Sequence, residues 1–312
     1  MSTSGSVNFS QNRDQIITRA LNILDIVGIG RTPSATQISH AADVLNMLIK
    51  SWQGQTDFAR GLKVWARKRG YLFLQTGQHE YTLPGDHWTN SYVTTTTTAA
   101  AISGASTIDI ASSSGMTAGD YLGVELSTGA LQWTTISGAP STTLTLAASL
   151  TANVASGARV FAYTTRATRP LSLLAAVRRD VRGTDSPMEM LRTVSTYEAI
   201  ADKSASGTPG VVFYEPTLPA GWLSLDTEPI DVTDVLRLTY VRPLEDVDAS
   251  TDDLDYPQEW FSPLALGLAR QIALDYGATW GQQHEMLYKE ALLVAQQANP
   301  EVSDAYFEPG RE

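Results

Sequence analysis

The 312-residue sequence predicts an α+β protein with a helical core, a central β region and an inserted β module. Helical periodicity occurs near both ends of the chain, and the alternation typical of strands occupies the middle. Residues 92–164 are poor in charge and rich in threonine, serine, alanine and glycine. Because insertions are tolerated at exposed loop tips, we expect residues 1–91 and 165–298 to form the core and residues 92–164 a separate module.

The first helix is predicted from about Gln11 to Val27, where apolar residues recur at three- and four-residue spacings. Ser10 is a suitable cap, and Gly28 and Gly30 are expected to stop the helix.

The second helix follows Pro33 and begins at the capping box Ser34-Ala-Thr-Gln37. Its apolar residues again fall on one face, from Ile38 to Trp52. A short turn separates the two helices, which predicts an antiparallel pair.

Alternating residues between Leu62 and Leu83 predict strands, and Gly77 between them indicates a hairpin. The first strand contains the basic run Arg67-Lys68-Arg69. This run is either a phosphate contact, for example in a DNA channel, or a solvated strand face, which is the simpler interpretation.

Short β-prone runs recur about every ten residues in 92–164, separated by Gly or Pro turns, which indicates a small antiparallel sandwich or barrel. An alternative for the threonine-rich residues 93–101 is disordered low complexity. The runs are Thr107–Ile110, Tyr121–Leu126, Leu131–Ile136, Thr142–Leu146 and Arg159–Tyr163.

Beyond Arg166 the composition returns to that of an ordinary globular chain. A second capping box, Ser195-Thr-Tyr-Glu198, predicts a short helix to about Lys203. The predicted strands are Leu171–Arg182, Met188–Thr193, Val211–Tyr214, Trp222–Asp226 and Val235–Val241, and the predicted helices are Pro257–Tyr276, bent or restarted at Pro263, and Gly281–Ala298.

Charge is distributed unevenly along a chain of net charge −11. Residues 245–312 hold fourteen acids and three bases. Such an acidic end disfavours tight nucleic-acid binding there, but it permits DNA to slide past or a basic partner to bind. There is no cysteine, no apolar core of a secretory signal at the start, and no run of about 18 apolar residues, so we expect no disulfide, no signal peptide and no membrane span.

No catalytic, metal or cofactor motif stands out. The four histidines, His40, His79, His87 and His284, are far apart in sequence, so a zinc site is unsupported. Gly28-Ile-Gly30 resembles the start of a dinucleotide fingerprint, but Pro33 occupies the third glycine position and no strand precedes it.

Several stretches, in order, resemble the head-to-tail adaptor (tail accessory factor) family of short-tailed bacteriophages. They cover residues 13–87 and 166–298, whereas residues 92–164 depart from compact members of that family. The stretches are ITRALNILDIVGIGRTPSATQISHAADVLNMLIKSW, TGQHEYTLPGD, YEAIADKSASGTPGVVFYEPTLPAGWLSLDTEPIDVTDVLRLTYVRPL and YPQEWFSPLALGLARQIALDYG.

The resemblance implies a structural virion protein without enzymatic activity or cofactor. It implies a ring, typically of twelve subunits, between the portal protein and the tail nozzle, which extends the DNA channel and helps genome retention and ejection. The extended tail 299–312 would reach the portal, with Tyr306 and Phe307 as anchors. What residues 92–164 bind does not follow from the resemblance, and tail fibres or spikes are candidate partners for them.

Two other classes of function stay open. A cell-wall hydrolase or glycan-binding protein would use Glu189 and Glu198 as an acid/base pair. Its sugar-stacking groups would be Tyr92, Tyr121, Trp133 and Tyr163, although aromatic residues at strand spacing also form cores. A DNA-binding accessory factor would act through Arg67–Arg69.

Overall fold

A computed structural model describes residues 5–6, 8–54 and 64–298 of the chain. It has a mixed α+β fold with two compact units, Met1–Ala66 with Leu244–Glu312, and Arg67–Pro243. The helices of the described residues are α1 (Arg13–Ile23), α2 (Ala35–Gly54), α3 (Val194–Glu198), α4 (Phe261–Asp275) and α5 (Gln282–Gln297).

The first unit contains α1, α2, α4 and α5. The other three helices all pack against α4, most of whose side chains are buried. Gly267 of α4 permits close approach, because a Cβ there would lie 3.2–3.3 Å from Leu48, Trp52 and Tyr288. None of the helices in the described ranges is long and apolar enough to cross a membrane.

Helix α1 is shorter than predicted at both ends. Asn12, not Ser10, is the cap, and it forms a capping box with Gln15 through two 3.0 Å hydrogen bonds. At the other end Asp25 adopts a φ of 57°, and the amide of Ile26 donates to the carbonyl of Leu21 at 3.1 Å. The predicted glycine stop is therefore wrong, since aspartate also tolerates the left-handed conformation that ends a helix.

The capping box predicted for α2 is confirmed. The amide of Ser34 donates to Gln37 Oε1 at 2.8 Å, and the amide of Gln37 donates to Ser34 Oγ at 3.3 Å. Two of the donors that a helix N-terminus leaves unpaired are satisfied in this way.

Every strand of the described residues belongs to the second unit. Those outside residues 92–164 are β1 (Arg67–Phe73), β2 (Glu80–Leu83), β3 (Trp88–Thr89), β10 (Ser172–Arg179), β11 (Asp185–Pro187), β12 (Glu189–Leu191), β13 (Ser206–Gly207), β14 (Val211–Glu215), β15 (Gly221–Leu225), β16 (Glu228–Pro229) and β17 (Val235–Val241). Those within it are β4 (Val93–Thr96), β5 (Thr107–Asp109), β6 (Tyr121–Glu125), β7 (Leu131–Thr135), β8 (Thr143–Thr145) and β9 (Arg159–Tyr163).

Two larger sheets outside residues 92–164 share one hydrophobic core. The first is antiparallel, in the order β11-β10-β17-β1-β3, and the second has the order β12-β14-β15-β2. Leu72, Leu236 and Leu238 of the first sheet are buried in the same cluster as Leu223 and Leu225 of the second. The opposite face of the first sheet does not belong to this core.

The predicted hairpin at Gly77 is wrong. Strand β1 pairs with β17 and β3, whereas β2 pairs with β15 in the other sheet. Gly77 does form a turn, with a φ of 72°, but that turn carries the chain from one sheet to the next. Local alternation indicated the strands, while contacts distant in sequence decided their partners. Val64–Ala66, predicted as strand, is a 3-10 turn.

Within residues 92–164, each of the five predicted β-prone runs contains a strand. Strands β4, β9, β6 and β7 form one antiparallel sheet and β5 pairs with β8. The threonine-rich start is ordered over Val93–Thr96, which pairs with β9. Apolar residues from these strands and their turns, among them Ile108, Leu122, Leu144 and Val160, form a buried cluster separate from the one shared by the two larger sheets.

The second predicted capping box, unlike the first, is wrong. Thr193 caps α3, since its Oγ1 accepts from the amide of Thr196 at 3.3 Å. The helix ends at Glu198, whose carboxylate lies 3.4 Å from Lys203 Nζ. Glu198 is thus at the wrong end of the helix to act as a capping partner.

Candidate functional site

The basic run Arg67-Lys68-Arg69 opens β1, which lies between the central strand β17 and the edge strand β3 of the five-stranded sheet. It pairs in register with Val241, Tyr240 and Thr239 of β17. Because side chains alternate along a strand, Arg67 and Arg69 lie on the face away from the shared core and Lys68 lies on the other. Arg69 and Lys68 are both exposed. The sequence-predicted run is thus divided between two faces.

Two further arginines share the face of Arg69. Arg237 of β17 lies opposite Tyr71, and Arg179 of β10 lies opposite Val235. Both arginines bind the carboxylate of Asp185 on β11, Arg179 at 2.8 and 3.1 Å and Arg237 at 2.9 Å. The Arg179 hydrogen bond, together with the charges of Arg237 and Arg69, lowers the pKa of Asp185.

Sequence reasoning did not find Arg179 and Arg237. Each lies in a segment correctly predicted as strand, but more than 100 residues from the basic run. Only the register of β1, β17 and β10 brings Arg69, Arg237 and Arg179 together. A single sequence contains no signal for that register.

An aromatic cluster joins residues 92–164 to the flanking sheet. Phe73 of β1 lies with ring centroids 5.0 Å from both Trp133 and Phe161, and 5.3 Å from Tyr92. Tyr121 stacks on Tyr163 at 4.9 Å. The aromatic side chains proposed for sugar stacking therefore pack on one another and on Phe73.

His87 belongs to the same cluster. Its ring stacks on Trp133, and its Nδ1 is hydrogen-bonded to the hydroxyl of Tyr163 at 2.7 Å. Burial, assisted by the positive charge of Arg166, lowers the pKa of His87 to about 3. The histidine is neutral at physiological pH and acts as a packing residue.

The other histidines do not form a metal site. His40 is 3.0 Å from Asp275, and His79 is 3.8 Å from Glu228 and 4.0 Å from Glu80. Among the described residues, no group of three or more potential ligands is arranged to hold a metal ion.

The two carboxylates considered for acid/base chemistry are solvent-exposed. Glu189 lies on β12, and Glu198 at the end of α3 is paired with Lys203. The general acid of a glycosidase lies in an apolar pocket, whereas these two carboxylates face water. Their surroundings do not favour a catalytic role.

The helical unit carries a cleft of about 940 Å³ lined by both apolar and polar side chains. Its walls include Ile29, which is 94% exposed, and Leu287 and Val294 of α5, which are 48% and 58% exposed. Two buried polar atoms in this cleft, Asn22 Oδ1 and His284 Nδ1, have no hydrogen-bond partner in the described structure. The proposed portal anchors Tyr306 and Phe307 lie outside the described residues.

Comparison with known proteins adds no family to these observations. No protein-family model matches the sequence, and no curated protein matches it significantly. The family resemblance therefore stays a prediction.

Proposed function

We propose that this chain is a structural subunit of a bacteriophage head-to-tail connector and has no enzymatic activity. Copies of it would join into a closed ring, of twelve subunits as in the family it resembles, between the portal and the tail nozzle. The ring would extend the DNA channel at the portal vertex of the virion and help to retain the genome until ejection.

The observation that carries this proposal is the second apolar face of α5. Tyr288 and Ala295 are buried within the helical unit. Leu287, Ala291 and Val294, at helical spacing, line the open cleft instead. A helix with apolar residues on two faces requires a second partner, and large exposed apolar patches mark protein interfaces.

A neighbouring copy of the chain is the partner that a ring supplies. Permanent assemblies bury about 2,000–5,000 Å² per interface, much of it apolar. Further exposed apolar side chains of the same unit, Met47, Leu274 and Met286, are available for such an interface, being 68%, 88% and 65% exposed.

The proposal includes the architecture of a connector subunit. The helices near both ends would form the ring-forming core, and residues 92–164 would be an inserted β-sandwich displayed for fibres or spikes. The separate buried cluster of residues 92–164 supports that division.

Sedimentation equilibrium of the purified chain, with and without the portal protein of the same phage, tests the ring. We expect a closed oligomer, alone or on the portal, visible as rings by electron microscopy. The double variant Leu287→Glu/Val294→Glu should be a folded monomer, because burying two carboxylates in an apolar interface is costly.

The matched control is Ile102→Glu, which places one carboxylate on an apolar side chain that is 74% exposed in residues 92–164. It should assemble like the wild type. The proposal would be overturned if the wild-type chain stayed monomeric at high concentration and did not bind the portal protein.

Removal of residues 299–312 tests the portal anchors. The truncated chain should keep its fold and bind the portal more weakly. Unchanged portal affinity would show that Tyr306 and Phe307 are not the anchors.

A further inference from the structure

Three arginines form a diagonal row across three adjacent strands. Tyr71 lies directly opposite Arg237, so Arg69, two residues before Tyr71, is diagonal to Arg237. Val177 lies directly opposite Arg237, so Arg179, two residues beyond Val177, is diagonal to it on the other side. Diagonal neighbours in a sheet are about 7–8 Å apart, so the row Arg69–Arg237–Arg179, the arginine diagonal, spans about 15 Å.

Positive charge dominates this face of the sheet. Asp185 is bound by two members of the diagonal, and its pKa also responds to the charge of the third. One carboxylate thus faces three guanidinium groups. Arg159 lies at the same edge, since its Nη2 donates to the carbonyl of Val181 in the β10–β11 turn at 2.7 Å. This excess contrasts with the net charge of −11 for the whole chain.

The chemistry of Asp185 indicates what the diagonal recognises. Arg179 holds that carboxylate through two of its donors, Nε and Nη2. A guanidinium has five N–H donors in a planar fork that suits carboxylate and phosphate oxygens. Donors of Arg179 and Arg237 not directed at Asp185 can serve a second anion beside it.

The face is open at one end and closed at the other. Ala175, in the same register row as Arg69, is exposed, as is Arg69 itself. At the other end Phe73 and Val235 are buried in the cluster that contains Trp133 and Phe161. A linear polyanion can therefore lie along the open part of the diagonal, with Tyr71 beside it.

We infer that the arginine diagonal binds the phosphodiester backbone of duplex DNA. B-DNA carries about one charge per 1.7 Å of helix axis, so even the open part of the row, from Arg69 to Arg237, can meet more than one phosphate. The choice of duplex DNA rests on the proposed function, whereas the surface is defined by strand register alone. The interaction is independent of base sequence, because the diagonal offers charge and no element shaped for a groove.

The test is fluorescence anisotropy of a labelled mixed-sequence DNA duplex with the full-length chain at about 50 mM salt. We expect binding that weakens as salt rises. The single variant Arg69→Gln should weaken binding severalfold and reduce the slope of log K against log salt by about 1. The triple variant Arg69→Gln/Arg179→Gln/Arg237→Gln should weaken it by at least about tenfold, since each phosphate contact adds to that slope.

Lys68→Gln is the matched control, because it removes one positive charge next to Arg69 on the opposite face of the strand. It should bind DNA within about twofold of the wild type. Asp185→Asn should bind more tightly, because the competing negative charge is lost. The triple variant removes both arginines that bind Asp185, and it could therefore disturb the local fold. Arg69 is exposed and does not bind Asp185 directly, so Arg69→Gln tests DNA binding without that disturbance.

Several results would overturn the inference. These are no DNA binding at low salt, equal losses for Arg69→Gln and Lys68→Gln, or tighter binding of a polyglutamate of equal charge, which would indicate an acidic protein partner. Sedimentation of each variant separates this test from that of the proposed function. If the chain forms a ring but does not bind DNA, only the inference about the arginine diagonal is refuted. If the chain is a monomer that binds DNA through Arg69, only the proposed ring is refuted.

Discussion

The imidazole of His87 stacks face to face on the indole of Trp133, with ring centroids 3.7 Å apart and planes 9° from parallel. His87 directly precedes β3 of the five-stranded sheet, whereas Trp133 belongs to β7. The contact therefore ties residues 92–164 to the flanking sheet. The hydrogen bond between His87 Nδ1 and the Tyr163 hydroxyl adds a second tie, to β9.

We expect acid to weaken this junction. The pKa of His87 is lowered from 6.5 to about 3, so the folded state keeps the ring neutral while the unfolded state takes up a proton below pH 6.5. The contribution of the neutral His87 ring to the stability of the folded state is complete above pH 6.5 and is lost as the pH falls towards 3. Because the ring is partly exposed, solvent screening limits the loss to about 1–2 kcal/mol.

Urea unfolding at pH 7 and pH 4.5, followed by tryptophan fluorescence, measures this loss. His87→Gln removes the titrating group and should lose less stability over that interval than the wild type. An equal loss of unfolding free energy in both proteins would show that protonation of His87 does not weaken the junction.

Strand positions were predictable from sequence where alternation was strong. Strands β9 and β17 have the predicted bounds, Arg159–Tyr163 and Val235–Val241, because their apolar side chains alternate with polar ones or form an apolar run. The pairing was not predictable. Gly77 indicates a turn whether the flanking strands pair with each other or with distant partners, and the formation of two separate sheets decided the outcome.

The candidate site was predictable only in part, for the same reason. Arg69 belongs to a visible basic run, whereas Arg237 becomes its diagonal neighbour only through the β1–β17 register.

Helix ends show a similar limit. Ser34 and Asn12 both cap helices, but Ser10 had the same composition signal as Asn12, and only backbone geometry distinguishes them.

Ser34→Ala should destabilise the helical unit by about 1 kcal/mol, the usual cost of losing an N-cap. Its Oγ accepts from the amide of Gln37, and that donor would turn to water. Ser39→Ala, the same change at an exposed position inside α2, should be neutral or slightly stabilising, since alanine has the higher helix propensity. Thermal unfolding followed at 222 nm compares the two, and equal effects would contradict the capping role.

Gly70→Ala should destabilise the sheet unit by about 1–3 kcal/mol, the range for forcing atoms into a filled core. A Cβ at Gly70 would overlap the indole of Trp88, which is fully buried. Gly210→Ala is the control in the same unit, because its added Cβ would meet nothing closer than 3.8 Å. Scanning calorimetry should show a lowered melting temperature for Gly70→Ala alone.

The purified chain should not clear bacterial cell walls, and Glu189→Gln or Glu198→Gln should change nothing in such an assay. Both carboxylates are exposed, and Glu198 is already paired with Lys203. A glycosidase needs one protonated and one ionised carboxyl group in a shared cleft. Clearing by the wild type that disappears in either variant would favour the hydrolase hypothesis and defeat the structural one.

Residues 92–164 should fold when expressed alone. Their buried cluster is built from their own strands and turns, and β4 and β9, near the two ends of the segment, pair with each other. Separation removes Phe73 and His87 from Trp133, so the fragment should be less stable than the same segment in the full chain. Cooperative urea unfolding of the fragment checks this prediction, and a non-cooperative transition would contradict it.

Asp120→Ala should destabilise that fragment far more than Asp109→Ala. Asp120 is 1% exposed and accepts hydrogen bonds from the amide and the hydroxyl of Thr117, both at 2.7 Å. Its removal deletes a buried acceptor and two hydrogen bonds to a charged group, which costs about 1–3 kcal/mol, although Thr117 itself is exposed. Asp109 is exposed and accepts a hydrogen bond from the Thr143 hydroxyl of β8 at 2.6 Å, so its removal should cost about 0.5 kcal/mol or less. If the two variants unfolded at the same urea concentration, the hydrogen bonds from Thr117 to the buried Asp120 carboxylate would not be important for the stability of the fragment.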